Sequence, residues 1–577
     1  MPKAKSGRMH VVRVVSRQRD REYVSWLLRN SYREDGKVKK QTLANLSHLP
    51  EPVIELVRRA LAGEAFVPAS EALEVVRTLP HGAVAAVLGT LRRLDLERLI
   101  EARPSRQRDL VTAMVVTRII APGSKLATTR RWTQSTLADT LGVADADEDE
   151  LYAALDWLLG RQGRIEAGLA RRHLAAGSVV LYDVTSSYVT GRHCELAAHG
   201  HSRDHRPDRP QVVYGLLLDA EGRPLAIEAY PGNTADPATV EDQLEKLQGR
   251  FGLVEVVLAG DRGMLTAARI ERLKERGGIG WLSCLRAPDI ARLAKGGLLQ
   301  LSLFDETDLA EISSPDHPGE RLVVCRNPAL AAERARKREA LLAATEARLA
   351  RVAAAVAAGR LRRAEAIGLR VGRLIDRAKV AKHFVLDIGE GRFGYRRDEA
   401  RIAAEAALDG LYVVRTSVGP ERLDAAGVVL AYKGLSHAER AFRAFKLDLA
   451  VRPIFHYRER RVRAHLLLCL LAAYVRWHLE RDLAPLLFRD EAPPERPDPV
   501  LPPPRSAAAR RKERTHRTPE GLPVSSFDDL LTDLATLTRN RIVPGGLGES
   551  AAYEQLTTPT PLQARAFALL GVNPARM

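Results

Sequence analysis

Between residues 177 and 287 the apolar pattern of the chain changes period, and this restricts the fold more than any other feature. From about 71 to 176, apolar residues recur at three and four positions in "VLGTLRRLDLERLIEAR", "RDLVTAMVVTRIIAP" and "EDELYAALDWLLGRQGRIEAGLARRHL". That is the spacing of helices that bury one face. At 177 short continuous runs take over, and "SVVLYDV", "QVVYGLLLD" and "PLAIEAYPG" predict three strands, the last two joined by the hairpin-length "AEGR". "TVEDQLEKLQGRFG" then reads as helix, "LVEVVLAGDRG" as strand, "TAARIERLKERG" as helix and "GIGWLSCLRA" as strand. An antiparallel meander followed by alternating helix and strand predicts a mixed sheet covered by helices.

The rest of the 577 residues predicts several domains around that sheet. Residues 1–70 read as a small α+β unit of strands, an "EDGK" turn and the helix "PEPVIELVRRAL", opened by proline. Residues 71–176 form a helical region in which "TRRWTQSTLADTLG" is a candidate helix-turn-helix, with a plain bundle as the alternative. Residues 288–410 interrupt the sheet with a long Ala-rich helical stretch carrying Arg334, Arg336, Lys337, Arg338, Arg348, Arg351, Arg360, Arg362 and Arg363. A solvated helical hairpin and a DNA-facing arm are both consistent with it. After the strand "GLYVVRTS" and two further helices, the Pro-rich, basic residues 483–520 read as an exposed linker, and 521–577 as a helical appendix.

Net charge is +17, which favours polyanionic partners such as nucleic acid. Four widely spaced cysteines, Cys194, Cys284, Cys325 and Cys469, suggest neither a disulfide framework nor a cysteine zinc site, and fit a reducing cytosol. No run reaches the roughly 20 apolar residues of a membrane span. "AHLLLCLLAAYVRWHLE" meets Arg476 too early and reads as a core helix.

Two of the apolar runs finish on a carboxylate. Asp183 follows "VVLY" and Asp261 follows "VEVVLAG", each at the expected end of a buried strand, where ligands of such sheets gather. Either alone is also a common turn or helix cap. A third carboxylate lies in "YKGLSHAERAFRAFK": Glu439, Arg443 and Lys446 share one helix face, and Ala438, Phe442, Phe445 and Leu449 the other. Ser436 and Glu439 also spell a capping box, which would make the Glu merely a helix cap.

Taken together, Asp183, Asp261 in "GDRG", and Glu439 in Y-x-x-(R)-x-x-x-E-x-x-x-x-x-x-K resemble bacterial insertion-sequence transposases of the DDE type. Tyr432, Glu439 and Lys446 match that signature, while Leu435 stands in place of its Arg and shifts weight to Arg440 or Arg443. "AYPGNTAD", with Asn233 and Asp236, resembles the family's turn after the third strand. The resemblance implies a multidomain α/β protein. Its ribonuclease H-like catalytic core, residues 177–287 and 411–482, would be interrupted by an insertion domain and preceded by a helical N-terminal region that binds DNA. It also implies phosphodiester cleavage and strand transfer at the ends of an insertion sequence, with terminal inverted repeats and target DNA as partners. A homodimer pairing the two ends, in the bacterial cytosol and at the nucleoid, is expected. Asp183, Asp261 and Glu439 would be catalytic, and Arg262, Tyr432, Arg440, Arg443 and Lys446 would contact DNA.

Clustered carboxylates repel one another unless a cation neutralises them, and all-oxygen donors suit Mg2+ or Mn2+ rather than zinc. The loop "GRHCELAAHGHSRDHRPDRP" offers His193, Cys194, His199, His201 and His205, but at spacings that match no closed zinc site. A mobile basic loop facing DNA is the alternative. "APGSK" lacks phosphate-loop spacing, so no nucleotide cofactor is expected. Other readings are a nuclease without strand transfer, a non-catalytic DNA-binding protein and, more weakly, an RNA-binding protein.

Overall fold

The computed structural model describes residues 7–18, 21–64, 66, 72–191, 193–299, 304, 308–378, 380–495, 498–545 and 548–577. Along the chain come β1 (Arg8–Gln18), β2 (Arg21–Glu34), β3 (Lys37–Asn45), α1 (Glu51–Leu61) and β4 (Leu73–Pro80). The helices α2 (Gly82–Arg93), α3 (Leu96–Ile100), α4 (Arg106–Ile120), α5 (Lys125–Trp132), α6 (Leu137–Leu141), α7 (Glu148–Leu159) and α8 (Gln162–His173) follow. Next are β5 (Val179–Tyr188), β6 (Gln211–Asp219), β7 (Pro224–Pro231), α9 (Val240–Glu245), β8 (Val256–Gly260), α10 (Ala267–Glu275), β9 (Ile279–Cys284) and α11 (Ala287–Lys295). The interruption holds β10 (Leu309–Ile312), β11 (Arg321–Arg326), α12 (Pro328–Ala357), α13 (Ala364–Ala378), β12 (Phe384–Gly389), β13 (Arg392–Arg397) and α14 (Glu399–Ala406). The chain closes with β14 (Leu411–Thr416), α15 (Ala425–Lys433), α16 (Leu435–Lys446), α17 (Glu459–Asp482), α18 (Ala507–Thr515), α19 (Phe527–Ala535), β15 (Thr538–Pro544), β16 (Tyr553–Leu556) and α20 (Pro561–Leu570).

Two compact units result: Met1–Thr78 with Arg539–Thr557, and Leu79–Thr538 with Thr558–Met577. In the first, β1, β2 and β3 form an antiparallel sheet with α1 against β1, while β4, β15 and β16 form a second sheet. The expected boundary at residue 70 lies outside the described residues.

The second unit is built on an eight-stranded mixed sheet, in the order β10-β11-β14-β9-β8-β5-β6-β7. β5, β6 and β7 form the expected meander, and β8 pairs parallel with β5 on one side and β9 on the other. Alternate residues serve different cores. Leu181, Tyr214, Leu216, Val257 and Ala259 pack with α16 and α17, and Val180, Tyr182, Val213, Val256 and Leu258 pack beneath α9 and α10.

The helical region is not a separate domain. α17 is buried almost all round, from Val462 to Leu479, so it needs apolar partners on every side. β7 supplies one, and α2, α4 and α7 supply others, making one continuous core with the sheet. The helix-turn-helix candidate is α5 and the five-residue α6, with Trp132, Leu137 and Ala138 buried. α6 is too short to lay a reading face in a groove.

Other expectations also shift. β10 and β11 extend the main sheet, whereas α12, α13, β12 and β13 share a small core of their own. In that arm Lys337 pairs with Glu333 and Arg338 with Asp409. The Pro-rich stretch is not wholly exposed: Val500 is buried beside Val323, Val414 and Val428, and the Lys433 ammonium donates to the carbonyls of Pro499, Val500 and Leu501. The supposed helical appendix contains β15 and β16, and α19 and α20 contribute Phe527, Leu530, Phe567 and Leu570 to the main core. Among the described residues no single helix is long and apolar enough to cross a membrane.

Candidate active site

β5 and β8 run parallel in register through Tyr182↔Gly260, and the next residue along each segment is a carboxylate: Asp183, still within β5, and Asp261, just past the end of β8. Both share the parity of the residues facing α16 and α17. β5 does not end at Asp183, as its sequence suggested, but continues to Tyr188 with β6 as partner. What ends there is the pairing with β8. Thr185, Ser186 and Ser187 stay buried within the strand because their surroundings are polar. Ser187 Oγ lies 3.0 Å from the Tyr214 hydroxyl, and Ser186 Oγ accepts from the Arg203 backbone N–H at 3.1 Å.

α16 lies over this opening. Ala438, Phe442, Phe445 and Leu449 are buried and Glu439 is exposed, as the amphipathic pattern predicts. The capping-box reading falls, because the helix begins at Leu435 after Gly434 and Ser436 is already inside it. A Cβ on Gly434 would come within 2.9 Å of the Ala431 carbonyl and 3.2 Å of Leu181, so glycine lets the α15–α16 junction rest on β5.

Asp183, Asp261 and Glu439 line one cavity of about 690 Å³, together with Tyr432, Arg203 and Asp236. The last two form an ion pair of 2.5 Å. Burial pushes the Asp183 carboxyl up to about 7, with Asp261 and Asp236 adding to the shift and the Val184 N–H and Arg203 opposing it. Burial also raises the Tyr432 phenol well above its usual value, reinforced by Cys284 and Asp261. The charge and all-oxygen donors of the pocket suit a hard divalent cation. Among the described residues, however, no three His, Cys, Asp or Glu side chains come together closely enough to hold one ion. The carboxylates line the cavity walls and would have to draw in around it.

The remaining expected residues separate. Arg262 lines a neighbouring cavity with Cys284 and Arg286, Arg440 lines another on the far flank of α16, and Arg443 is exposed on the arc between Glu439 and Arg440. Lys446 is drawn inward: its ammonium meets Asp204 Oδ1 at 2.8 Å, which also accepts from Arg452 at 2.8 Å, while Asp204 Oδ2 accepts from the Tyr188 N–H at 3.2 Å. The Asp204 side chain is 1% exposed. The loop after β5 is therefore pinned to β5 and α16 rather than hanging free. In the sequence, Arg203 and Asp204 carry no local sign of this placement, because histidines are the loop's conspicuous feature. Asp236 was visible only as part of "GNTAD".

Residues 12–71 match the IS1634 family transposase N-terminal domain, and residues 175–475, more than half of the chain, match the transposase DDE domain. The chain belongs to the DDE transposases. This transposase is accordingly an enzyme that acts on DNA, and the family's use of divalent metal agrees with the acidic cavity. Among solved structures, it resembles a piggyBac transposase in a synaptic complex with hairpin DNA, at 9% identity over 79% of this chain and 76% of that one, with a TM-score of 0.33. No curated protein matches it.

Two expected outcomes arise from this geometry. Asp183 has a folded pKa of about 7 against an ordinary 3.8, so the folded chain holds its proton more tightly than the unfolded chain. Its contribution to stability is therefore full below 3.8 and lost as pH rises through about 7. In chelator-treated protein, wild type should lose stability relative to Asp183→Asn across that window, measured by denaturant titration at several pH values. Divalent metal should reverse the loss. The second outcome concerns Gly232, in the turn leading to Asp236. A Cβ there would meet the Gln211 carbonyl at 1.9 Å and the Ala198 carbonyl at 2.4 Å. Both obstacles are backbone, so Gly232→Ala should cost about 2 kcal/mol or more in the same assay.

Proposed function

We propose that Asp183, Asp261 and Glu439 are the catalytic carboxylates of this transposase, holding Mg2+, with Mn2+ as a substitute, for DNA cleavage and strand transfer at the ends of an insertion sequence. The observation that carries the reading is positional. Asp183 and Asp261 are the first residues beyond the last parallel pair of β5 and β8, and Glu439 faces the same cavity from α16. A divalent cation held by these carboxylates would supply Lewis acidity for activating a water or 3′-hydroxyl and for stabilising the leaving oxygen. The protein's own groups bind and orient. Arg203 and Asp236 form the cavity wall beside Asp183, Tyr432 borders Asp261, and Arg262 and Arg443 on either side would hold phosphates of the bound strand. Lys446, tied to Asp204, would fix α16 relative to β5 rather than grip DNA.

In the proposed ribonuclease H-like core, residues 177–287 and 411–482, the first five strands lie in the order β7-β6-β5-β8-β9, and α16 brings the third carboxylate from beyond the interruption. Tyr432, Glu439 and Lys446, with Leu435 in place of Arg, support membership of the Y-x-x-R-x-x-x-E-x-x-x-x-x-x-K group. Residues 288–410 would serve as a DNA-contacting arm, since the 30-residue α12 reaches about 45 Å and carries exposed Arg334 and Arg351. Terminal inverted repeats and target DNA would be bound by a homodimer that pairs both ends, in the cytosol at the nucleoid.

The test is Mg2+-dependent cleavage of a supercoiled plasmid carrying the element ends, comparing wild type with Asp183→Asn and Glu439→Gln. End-specific cuts lost in both variants support the assignment. Cuts retained in either remove that residue from it.

A further inference from the structure

α16 and α17 face each other through small residues, Ala441 and Ala444 against Ala473, and the space left between them opens into a cavity of about 360 Å³. Arg440, Arg476 and Arg489 line it, with Phe488 and Trp477 as apolar wall. The three guanidinium groups differ in how they are satisfied. Arg476 is fully engaged, with Asp448 at 2.9 Å, Glu480 at 2.7 Å and Asp528 at 3.2 Å. Glu221, the other carboxylate at the wall, is bound to Arg223. Arg440 and Arg489 have no carboxylate within ion-pair distance among the described residues. Arg440 is exposed on one side, and the protein covering its other side, then the neighbouring Arg489, lower its guanidinium from the usual value, with Glu480 acting against them. The carboxylates at the wall, Glu221 and Glu480, are bound to Arg223 and Arg476, so Arg440 and Arg489 face the cavity with no carboxylate of their own until an anion enters. Planar guanidinium forks match phosphate oxygens in geometry as well as charge.

We infer that this cavity is a second anion site, in which Arg440 and Arg489 hold a backbone phosphate of the DNA strand whose reacting phosphate lies at the carboxylate cavity. The inference rests on the proposed catalytic reading. Arg440 follows Glu439 directly and so lies about 100° around α16, with exposed Arg443 between them on the arc. On a helix about 10–12 Å across, that arc is about 10 Å of surface, the reach between near-neighbour phosphates of one strand. Arg440 is exposed and Phe488 is 45% exposed at the mouth, so a polymer can pass across the cavity where a closed pocket would admit only a small anion.

The test uses full-length protein and a fluorescent duplex bearing the element end, with Ca2+ in place of the reactive metal. Binding is measured by anisotropy between 50 and 200 mM salt. Arg440→Gln/Arg489→Gln should lower the slope of log affinity against log salt by about 1, the value for one released phosphate contact, and weaken binding about 5- to 10-fold at the upper salt. A single methylphosphonate, moved along the strand, should weaken wild type at one position where the double variant is indifferent. Mn2+ binding, followed by electron paramagnetic resonance, should be equal in both proteins, which reports that fold and carboxylate cavity are intact. If the double variant fails that control, Arg489→Gln alone is read in the same way. An unchanged salt slope overturns the inference. An unchanged slope accompanied by a phosphate-dependent rise in Tm that only wild type shows assigns the cavity to free phosphate instead, and also overturns it. Failure of the catalytic reading is separate: Mn2+ binding would then survive Asp183→Asn, whatever the slope does.

Discussion

Asp261→Asn is expected to lower strand cleavage by about three orders of magnitude or more, ~4 kcal/mol of transition-state stabilisation, while DNA binding in Ca2+ keeps its affinity and salt slope. The substitution keeps shape and removes charge. Asp261 follows β8 directly, and the turn after it is fixed by backbone bonds from Met264 and Leu265 to the Asp261 carbonyl, so the amide leaves the fold in place. What it removes, on the proposed reading, is one of the carboxylates that would hold the cation. Gel-resolved cleavage of an end-labelled duplex, with anisotropy on the same preparation, separates the two effects. Cleavage within tenfold of wild type would eliminate Asp261 as a metal-holding residue.

Asp204→Ala is expected to destabilise the protein by about 3–5 kcal/mol, the usual cost of removing one partner of a buried ion pair. Here the deletion strands two cations, since Lys446 and Arg452 share the same carboxylate oxygen, and it also deprives the Tyr188 N–H of its acceptor. Lys446→Met should cost less, because Asp204 keeps Arg452. That asymmetry, read from denaturant midpoints, distinguishes a central carboxylate from a simple pair. Equal costs would place the two side chains in an isolated bridge. As Asp204 joins the end of β5 to the end of α16, its loss should also loosen Asp183 relative to Glu439 and reduce cleavage beyond what stability accounts for.

Much of this site was legible in the sequence, because each carboxylate announces itself locally. Asp183 and Asp261 interrupt apolar runs, and Glu439 stands opposite Ala438, Phe442 and Phe445 on an amphipathic helix. The supports were not legible, since they depend on partners distant in the chain. Nothing near Asp204 points to Lys446, and nothing in "PDPVLPPPRS" shows that Val500 will be buried against β11 and β14 or that Lys433 will collect three carbonyls there. Periodicity likewise tells that α17 is buried, but not that helices from before the sheet and after it both cover it. β5 ran longer than expected because its hydroxyls found buried partners, which an apolar-run criterion does not count.

The all-round burial of α17 also bears on inheritance. A part that folds alone can be copied, shortened or fused without regard to its neighbours, but here the stretch matching the DDE domain ends inside a helix whose other sides are clothed by α2, α4, α7 and α20. A chain cut to that stretch would keep β7 and α16 against α17 but lay bare the apolar sides that α2, α4, α7 and α20 clothe.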